Sequence, residues 1–514
     1  MRRVLAEPWG TRAAVTGLGL VSLAGYGLGL PLVGGRGLRT LEGYVLRYFA
    51  LFVLYLGAVV LVLRRPSTDR TVVAAILGFG LLFRLAVLPS PIFLSSDLYR
   101  YLWDGRVQRQ GLSPYRHPPA ADELRGLRDP AIFPNINRPS RPTVYPPGAE
   151  IVYALVTTVA PDSIRGWRLF VLACEAVTMG LLVDLLRRMG VPAPAIVVYA
   201  WAPLAVFEGV QAGHVDFVML PLLLLALRWR QAGRLGHAGV ALGSATLVKL
   251  YPAVLLAAWH RRGDWRLPAA WATTMAAGYL VYLGGVGSGV VGFLPRYFSS
   301  AEDFNLGLRL FLTDAIGLVV PDPVRRRLGE IVLDLLRRSG QVDARLSLEQ
   351  LLSVEEARVL RRAFDLPTGD VGQLLLLQLG NELIRGVTMV ALLAVLALVL
   401  LRIGRGRLDG PADVFRASMA AVAAYLLLVP TAMHAWYAVW ILPFLTVRRS
   451  PAWFWFTGTV PLSYLKYAWD PAGLPLWIRL VEYLPFYGLL LWEWRRGGMA
   501  ARRGGAPSPR GEPP

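Results

Sequence analysis

The chain has 514 residues, 55% hydrophobic and 17% charged, with mean hydropathy +0.47 and a formal net charge of +20. Soluble domains run nearer 25% charged, so one large soluble enzyme is excluded; so is disorder, which needs few apolar residues. Apolar runs of about 20 residues recur from end to end, the mark of a polytopic helical membrane protein, without the residue-by-residue alternation of an outer-membrane barrel.

The chain opens on a basic stretch, MRRVLAEPWGTR, followed by an apolar run at 13–33. That run is long for a signal-peptide core and has no small-residue cleavage site, so it reads as a retained first helix. Further spans are expected at 43–63, 71–90, 167–186, 191–209, 214–229, 268–291, 383–402, 412–430, 435–447, 451–467 and 474–494. Two lysines, Lys249 and Lys466, stand against 52 arginines. Arginines in short loops orient the spans and touch anionic lipid. Arg64, Arg65 and Arg70 put the loop after the second span inside, so segment 91–150 lies outside. Arg187, Arg188, Arg228, Arg230, Arg234, Arg402, Arg405, Arg407, Arg448, Arg449, Arg495 and Arg496 continue the pattern and leave both termini cytoplasmic. No basic tract is interleaved with aromatics, so nucleic acid is not a partner.

Residues 236–259 break this rhythm. Arginines flank them on both sides, Pro252 interrupts them, and each half is too short to cross. They read as a re-entrant hairpin turning near Lys249-Leu250-Tyr251-Pro252, the alternative being an ordinary span followed by one misplaced basic loop. The resulting division is 1–90, N-terminal transmembrane helices; 91–150, a first outer loop; 151–292, a transmembrane core with the hairpin. Then come 293–382, an outer cap with amphipathic helices at PVRRRLGEIVLDLLRRSG and SLEQLLSVEEARVLRRAFD; 383–496, C-terminal transmembrane helices; and 497–514, a disordered cytoplasmic tail. Residues 149–160 form an apolar helix too short to span, left at the outer surface. The lone Cys174 excludes a disulfide framework and a cysteine metal site.

The first outer loop carries the chemistry. In SSDLYRYLWDGRVQRQGLSPYRHPP, Asp97, Tyr101 and Asp104 share one helix face at i, i+4 and i+7. Arg100 lies one turn from Asp97, and Ser95 or Ser96 can cap the helix. A carboxylate at the bilayer edge suits general-base work; the bland alternative is a solvated helix whose Asp97 pairs with Arg100 or Arg106. The same outer face collects Glu208, His214 and Asp216 from EGVQAGHVDF, Lys249 and Tyr251 from the hairpin, Arg296, and His434, Trp436 and Tyr437 from HAWYAVWILPF. Ionisable residues at membrane depth are functional hypotheses by default. A carboxylate could deprotonate a hydroxyl while lysine and arginine hold a leaving phosphate. A lipid-linked donor fits, because its tail can stay in the bilayer.

DLYRYLWDGRVQRQGLSPYRHPP, VYPPG, EGVQAGHVDFVMLPLLLLAL, LVKLYPAVLL and HAWYAVWILPFL follow one another over roughly 90–450. In this order they resemble the GT-C membrane glycosyltransferases, and among these the polyprenyl-phosphate-mannose-dependent mannosyltransferases of glycosyltransferase family 87. The resemblance implies an all-α bundle of about twelve transmembrane helices, with a re-entrant hairpin and outer-face loop helices. It implies mannose transfer from a polyprenyl-phosphate donor to a glycolipid or glycan hydroxyl at the outer face of the plasma membrane, with inversion and without metal or cofactor. The family's first-loop aspartate falls on Asp97, with Asp104 as the second candidate catalytic carboxylate. Arg100, Lys249, Tyr251, Arg296, His214, Asp216 and His434 are candidates for the donor's phosphate or sugar. Two early helices and the charged insert at 322–376 depart from the family pattern. Rival readings are another GT-C transferase, of the protein O-mannosyl or lipid A type, and a polyprenyl-lipid transporter or flippase. A transporter would show internal repeats, and none stands out.

Overall fold

The computed structural model describes residues 8–27, 38–65, 67–261, 263–292, 294, 304–305, 307–339, 371–406, 408–430, 432–469 and 474–503. It is all-helical, and no strand occurs among the described residues beyond one isolated bridge between Phe304 and Ala432. The chain divides into two units, one of residues 1–298, 400–426 and 433–514, the other of 299–399 and 427–432.

The first unit opens with α1 (Pro8–Gly27), α2 (Leu38–Arg64) and α3 (Arg70–Val87). Asp69 caps α3 by accepting from the Thr71 N–H at 2.8 Å. Two shorter helices follow, α4 (Asp97–Arg109) and α5 (Pro147–Val159), and then the long α6 (Ile164–Arg188), capped by Ser163. The short apolar helix at 149–160 is α5, and it packs on α4.

The run at 191–209 is not one straight helix. It breaks into α7 (Val197–Ala200) and α8 (Pro203–Val206), and the flanking segments meet at 60°. Pro203 forces Ala202 into an extended conformation. The backbone groups freed at the break find partners: Tyr55 Oη donates to Val198 O at 2.8 Å, and Arg84 Nη1 to Ala200 O at 2.8 Å. Phe207–Gln211 then form one widened turn, with the Ala212 N–H reaching Phe207 O at 2.8 Å. Such turns cluster at functional sites.

Next come α9 (Asp216–Gln231), α10 (Leu235–Val248), α11 (Val254–Trp259) and α12 (Arg266–Val286). The helical path stops at Lys249, whose backbone is extended (φ −149°, ψ 135°). α10 lies against both α9 and α12. Its Gly239 and Gly243, four residues apart, form a small-residue seam of the kind that lets helices approach in lipid. A Cβ on Gly239 would sit 2.5 Å from Leu267 O and one on Gly243 would sit 2.7 Å from Thr274 Cβ. Gly239→Leu should therefore lower stability by about 1–3 kcal/mol through overpacking. A detergent unfolding titration checks this; a wild-type midpoint would show that the seam is loose.

In the second unit, α13 (Leu308–Val319) precedes α14 (Asp322–Arg338), which is amphipathic as its spacing predicts. α15 (Val371–Gly404) meets α14 where Gly329 and Gly380 allow close backbone approach. The second expected amphipathic helix, at 347–365, lies outside the described residues.

The first unit resumes with α16 (Pro411–Leu428), α17 (Leu442–Leu445), α18 (Pro451–Thr459), α19 (Lys466–Trp469) and α20 (Leu476–Arg503). Two expected spans are corrected here. Residues 435–447 are a tight turn plus one helical turn, and 451–467 end as regular helix at Thr459 before Pro461. Both are apolar because they are core: Leu442, Phe444, Leu445, Phe456 and Val460 are almost wholly buried. Helix α20 also runs to Arg503, so residues 497–503 are helical where disorder was expected. Among the described residues five helices are long and apolar enough to cross a membrane, six if the bent pair is one span.

Candidate functional site

The N-terminal end of α6 fastens two loops together. Arg168 donates to Leu88 O at 3.1 Å and Ser90 O at 2.5 Å, and its other nitrogen bonds Gln211 O. Trp167 Nε1 donates to Gly213 O at 2.7 Å. The end of α3 and the turn after α8 are thereby held beside the start of α4. Gly213 has φ +76°, and a Cβ there would come within 2.5 Å of Leu98 Cδ1, so the turn needs glycine.

Asp97 begins α4, with its backbone N–H donating to Ser95 Oγ at 3.2 Å; Ser96 makes no such bond. Its side chain is 18% exposed, and Oδ1 accepts from Asn137 Nδ2 at 2.6 Å. Its Oδ2 lies 3.9 Å from His214 Nδ1. This carboxylate is neither solvated freely nor paired with Arg100 or Arg106. Arg106 instead bonds Asp129, Leu127 O and Asp162.

Asp104 faces inward. It is 1% exposed, and both of its oxygens accept from Arg100 Nε at 2.8 Å. Arg100 also donates to Arg141 O at 3.1 Å. Behind it, Glu150 accepts from Thr143 Oγ1 at 2.6 Å and Gln108 Nε2 at 2.9 Å, and Tyr282 Oη donates to Gln108 Oε1 at 2.7 Å. Burial pushes the Asp104 carboxyl up, against the pull of the Arg100 guanidinium. Burial, and then the charge of Asp104, push Glu150 well up. Arg100 is thus engaged inside the loop domain.

A second cluster closes on Asp97 from the other side. His214 is 1% exposed, and its Nε2 lies 3.3 Å from Glu208 Oε2. Tyr464 Oη donates to both Glu208 oxygens, at 2.9 and 3.0 Å. Trp436 stacks on His214 at 4.1 Å and on His434 at 4.2 Å. Lys249 Nζ sits 3.3 Å from Asp216 Oδ2, and Asp216 Oδ1 accepts from Trp440 Nε1 at 2.7 Å. Lys249 also lies over the Tyr437 ring at 5.3 Å, and Tyr251 stacks on Trp440 at 3.9 Å. The break after α10 is what leaves Lys249 able to do this.

The electrostatics are mixed by design of the fold. His434 is pushed down to about 3, first by loss of solvent around the ring, then by the positive field of Lys249, Arg138 and Lys466, and of His214 whenever that ring is protonated. It is a neutral imidazole in a cationic neighbourhood. Arg138 follows Asn137 with φ +49°, a backbone state that costs about 1–3 kcal/mol and gathers at functional sites.

The structure brings together Asp97, His214, Asp216, Lys249, Tyr251 and His434; it sets Asp104 and Arg100 apart from them, and Arg296 lies outside the described residues. Sequence reasoning missed Asn137, Tyr464 and Trp440. Lys466 had stood out as one of two lysines, which was the available signal for its segment. No cluster of three or more metal-ligating side chains with metal-site geometry occurs among the described residues.

Residues 11–260 match the MptA_B family, described as alpha-(1->6)-mannopyranosyltransferase, N-terminal domain. No curated protein and no solved structure gives a match. Asp97, His214, Asp216 and Lys249 fall inside the matched stretch, and His434 beyond it.

Proposed function

Proceeding from a membrane glycosyltransferase with mannosyltransferase resemblance, we propose that the enzyme moves mannose from a polyprenyl-phosphate donor to a hydroxyl of a glycolipid or glycan. In this reading the transfer takes place at the outer face of the plasma membrane, within a GT-C-type bundle of transmembrane helices. Both termini and the 260–266 loop are cytoplasmic, and the 236–259 segment is re-entrant. The α-(1→6) linkage is the one named for the matched family and enters here as part of the proposal.

The observation that carries the reading is Asp97: a half-open carboxylate, oriented by Asn137, facing a neighbourhood that holds Lys249 and His434. The acceptor hydroxyl gives its proton to Asp97 as its oxygen bonds the anomeric carbon. The bond from that carbon to the phosphate oxygen breaks on the far side, and polyprenyl phosphate leaves with the electron pair. One base and one displacement give inversion. Charge on the departing phosphate grows in the transition state, where a fixed cation counts most. Lys249 supplies it, its ammonium held by Asp216, which in turn accepts from Trp440 Nε1. The breaks at Ala202 and Lys249 are what a polyprenyl-lipid transporter would also need. Labelled polyprenyl-phosphate-mannose with purified protein separates the two readings: product formation supports transfer, translocation without product supports transport.

Lys249→Met should lower kcat/KM for the donor by roughly 10- to 100-fold, the worth of one charge-assisted bond of about 1.5–3 kcal/mol. Lys249→Arg should recover part of it. Normal donor kinetics in a folded Lys249→Met enzyme would confine Lys249 to neutralising Asp216.

A further inference from the structure

We infer that His214 is a positioning residue that acts through Asp97, receiving from it the proton taken off the acceptor hydroxyl. The inference rests on the reading of Asp97 as base and adds the proton's second station.

The imidazole lies between two carboxylates, Asp97 Oδ2 3.9 Å from Nδ1 and Glu208 Oε2 3.3 Å from Nε2. The ring is 1% exposed, and neither nitrogen completes a hydrogen bond. A buried imidazole left open at both nitrogens, between two anions, needs an explanation. In the neutral ring only one nitrogen carries a proton. In this proposal that proton sits on Nε2, the nitrogen 3.3 Å from the wholly buried Glu208 that Tyr464 fixes. The Nδ1 lone pair then faces Asp97. Two acceptors do not bond, which accounts for the open 3.9 Å gap.

Once Asp97 takes the acceptor's proton, donor and acceptor face each other across that gap. The proton moves from the Asp97 oxygen to Nδ1, leaving a carboxylate and an imidazolium flanked by two anions. The O–H bond of the acceptor has broken, the new glycosidic bond has formed, and the electron pair of the old one is on the leaving phosphate. Water reaching the exposed edge of Asp97 takes the proton and restores the ring. Stacking on Trp436 at 4.1 Å and the His214 N–H bond to Glu208 O at 3.2 Å keep the imidazole in plane for both partners.

The groups bearing on this ring are Asp97 from α4, Glu208 from the widened turn, Tyr464 through Glu208, and His434 across Trp436. Lys249, Arg138 and Lys466 add positive field around His434.

The test is the pH dependence of kcat and kcat/KM in the full-length enzyme. Wild type should show a two-proton acid limb, because Asp97 and His214 must both start unprotonated. His214→Gln should leave a one-proton limb, with kcat down roughly 10- to 100-fold, the lower part of the acid–base range, and donor KM within about twofold. Glu208→Gln keeps the ring but removes the anion beside it, so its limb should move to lower pH; this variant carries the test if His214→Gln does not fold. A pH profile unchanged in either variant, or a donor KM raised more than about tenfold by His214→Gln, overturns the inference and makes His214 a structural or donor-binding residue. An active Asp97→Asn would instead sink the underlying reading of the base, whereas an inactive Asp97→Asn with unimpaired His214→Gln sinks only this one.

Discussion

Asp97→Asn should lower turnover on the order of 10²–10⁴-fold, the usual worth of acid–base catalysis. The amide keeps the size of the side chain and can still accept from Asn137, which bonds Oδ1 at 2.6 Å. It cannot accept the hydroxyl proton. Folding should barely change, because the side chain is 18% exposed and makes no close ion pair with Lys or Arg among the described residues. Donor binding should survive, since the lost charge has the sign of the phosphate. Asp104→Asn should fail differently. It removes half the charge balance from an Arg100 that is 5% exposed, and breaking a buried pair costs about 3–5 kcal/mol. Turnover, donor binding and yield of folded protein for both variants decide the matter. A folded but inactive Asp104→Asn beside an active Asp97→Asn would exchange the two roles.

Arg84→Met should destabilise the protein by about 3–5 kcal/mol, a large share of the roughly 5–15 kcal/mol that folded proteins possess. Arg84 and Glu175 are both fully buried and lie 2.8 Å apart, linking α3 to α6. Arg84 also bonds Gly80 O and Ala200 O, and Tyr199 Oη donates to Glu175 at 3.0 Å. Removing the cation leaves an anion in the interior with one hydroxyl for company. The double variant Arg84→Met, Glu175→Leu removes both charges and should recover much of the loss. Unfolding midpoints of the two single variants and the double variant measure this; strictly additive losses would mean the pair is not coupled.

The helix over 97–109 and the interruption at Lys249 were legible because each has a local cause: a capping serine and spaced carboxylates in one, Pro252 in the other. The convergence of EGVQAGHVDF, LVKLYP and HAWY on one neighbourhood was legible from their polarity in apolar surroundings. The pairings inside it were not. Asn137 reaches Asp97 across 40 residues and Tyr464 reaches Glu208 across 256, and composition does not encode such distances. Asp104 was read as a second candidate catalytic carboxylate beside Asp97 because helical spacing cannot tell that Arg100 and Glu150 enclose its side chain. The segments 435–447 and 451–467 were read as spans because wholly buried core and lipid-facing helix are equally apolar. The widened turn at 207–211 has no sequence signature of its own; Gly213 marks only its exit.

The Arg84–Glu175 pair also sets an order of events during biosynthesis. Its members are 91 residues apart, so at roughly 5–20 residues per second the cation is made several seconds before its anion. Arg84 lies one turn from the end of α3, where its long stem can carry the guanidinium toward the headgroups while it waits. Glu175, in the middle of α6, has no such refuge and needs its partner on arrival. Tyr199 and the Ala200 carbonyl come later still. Docking of α6 on α3 is thus the step that completes the charge pair, and residues 199 and 200 can close around it only afterwards.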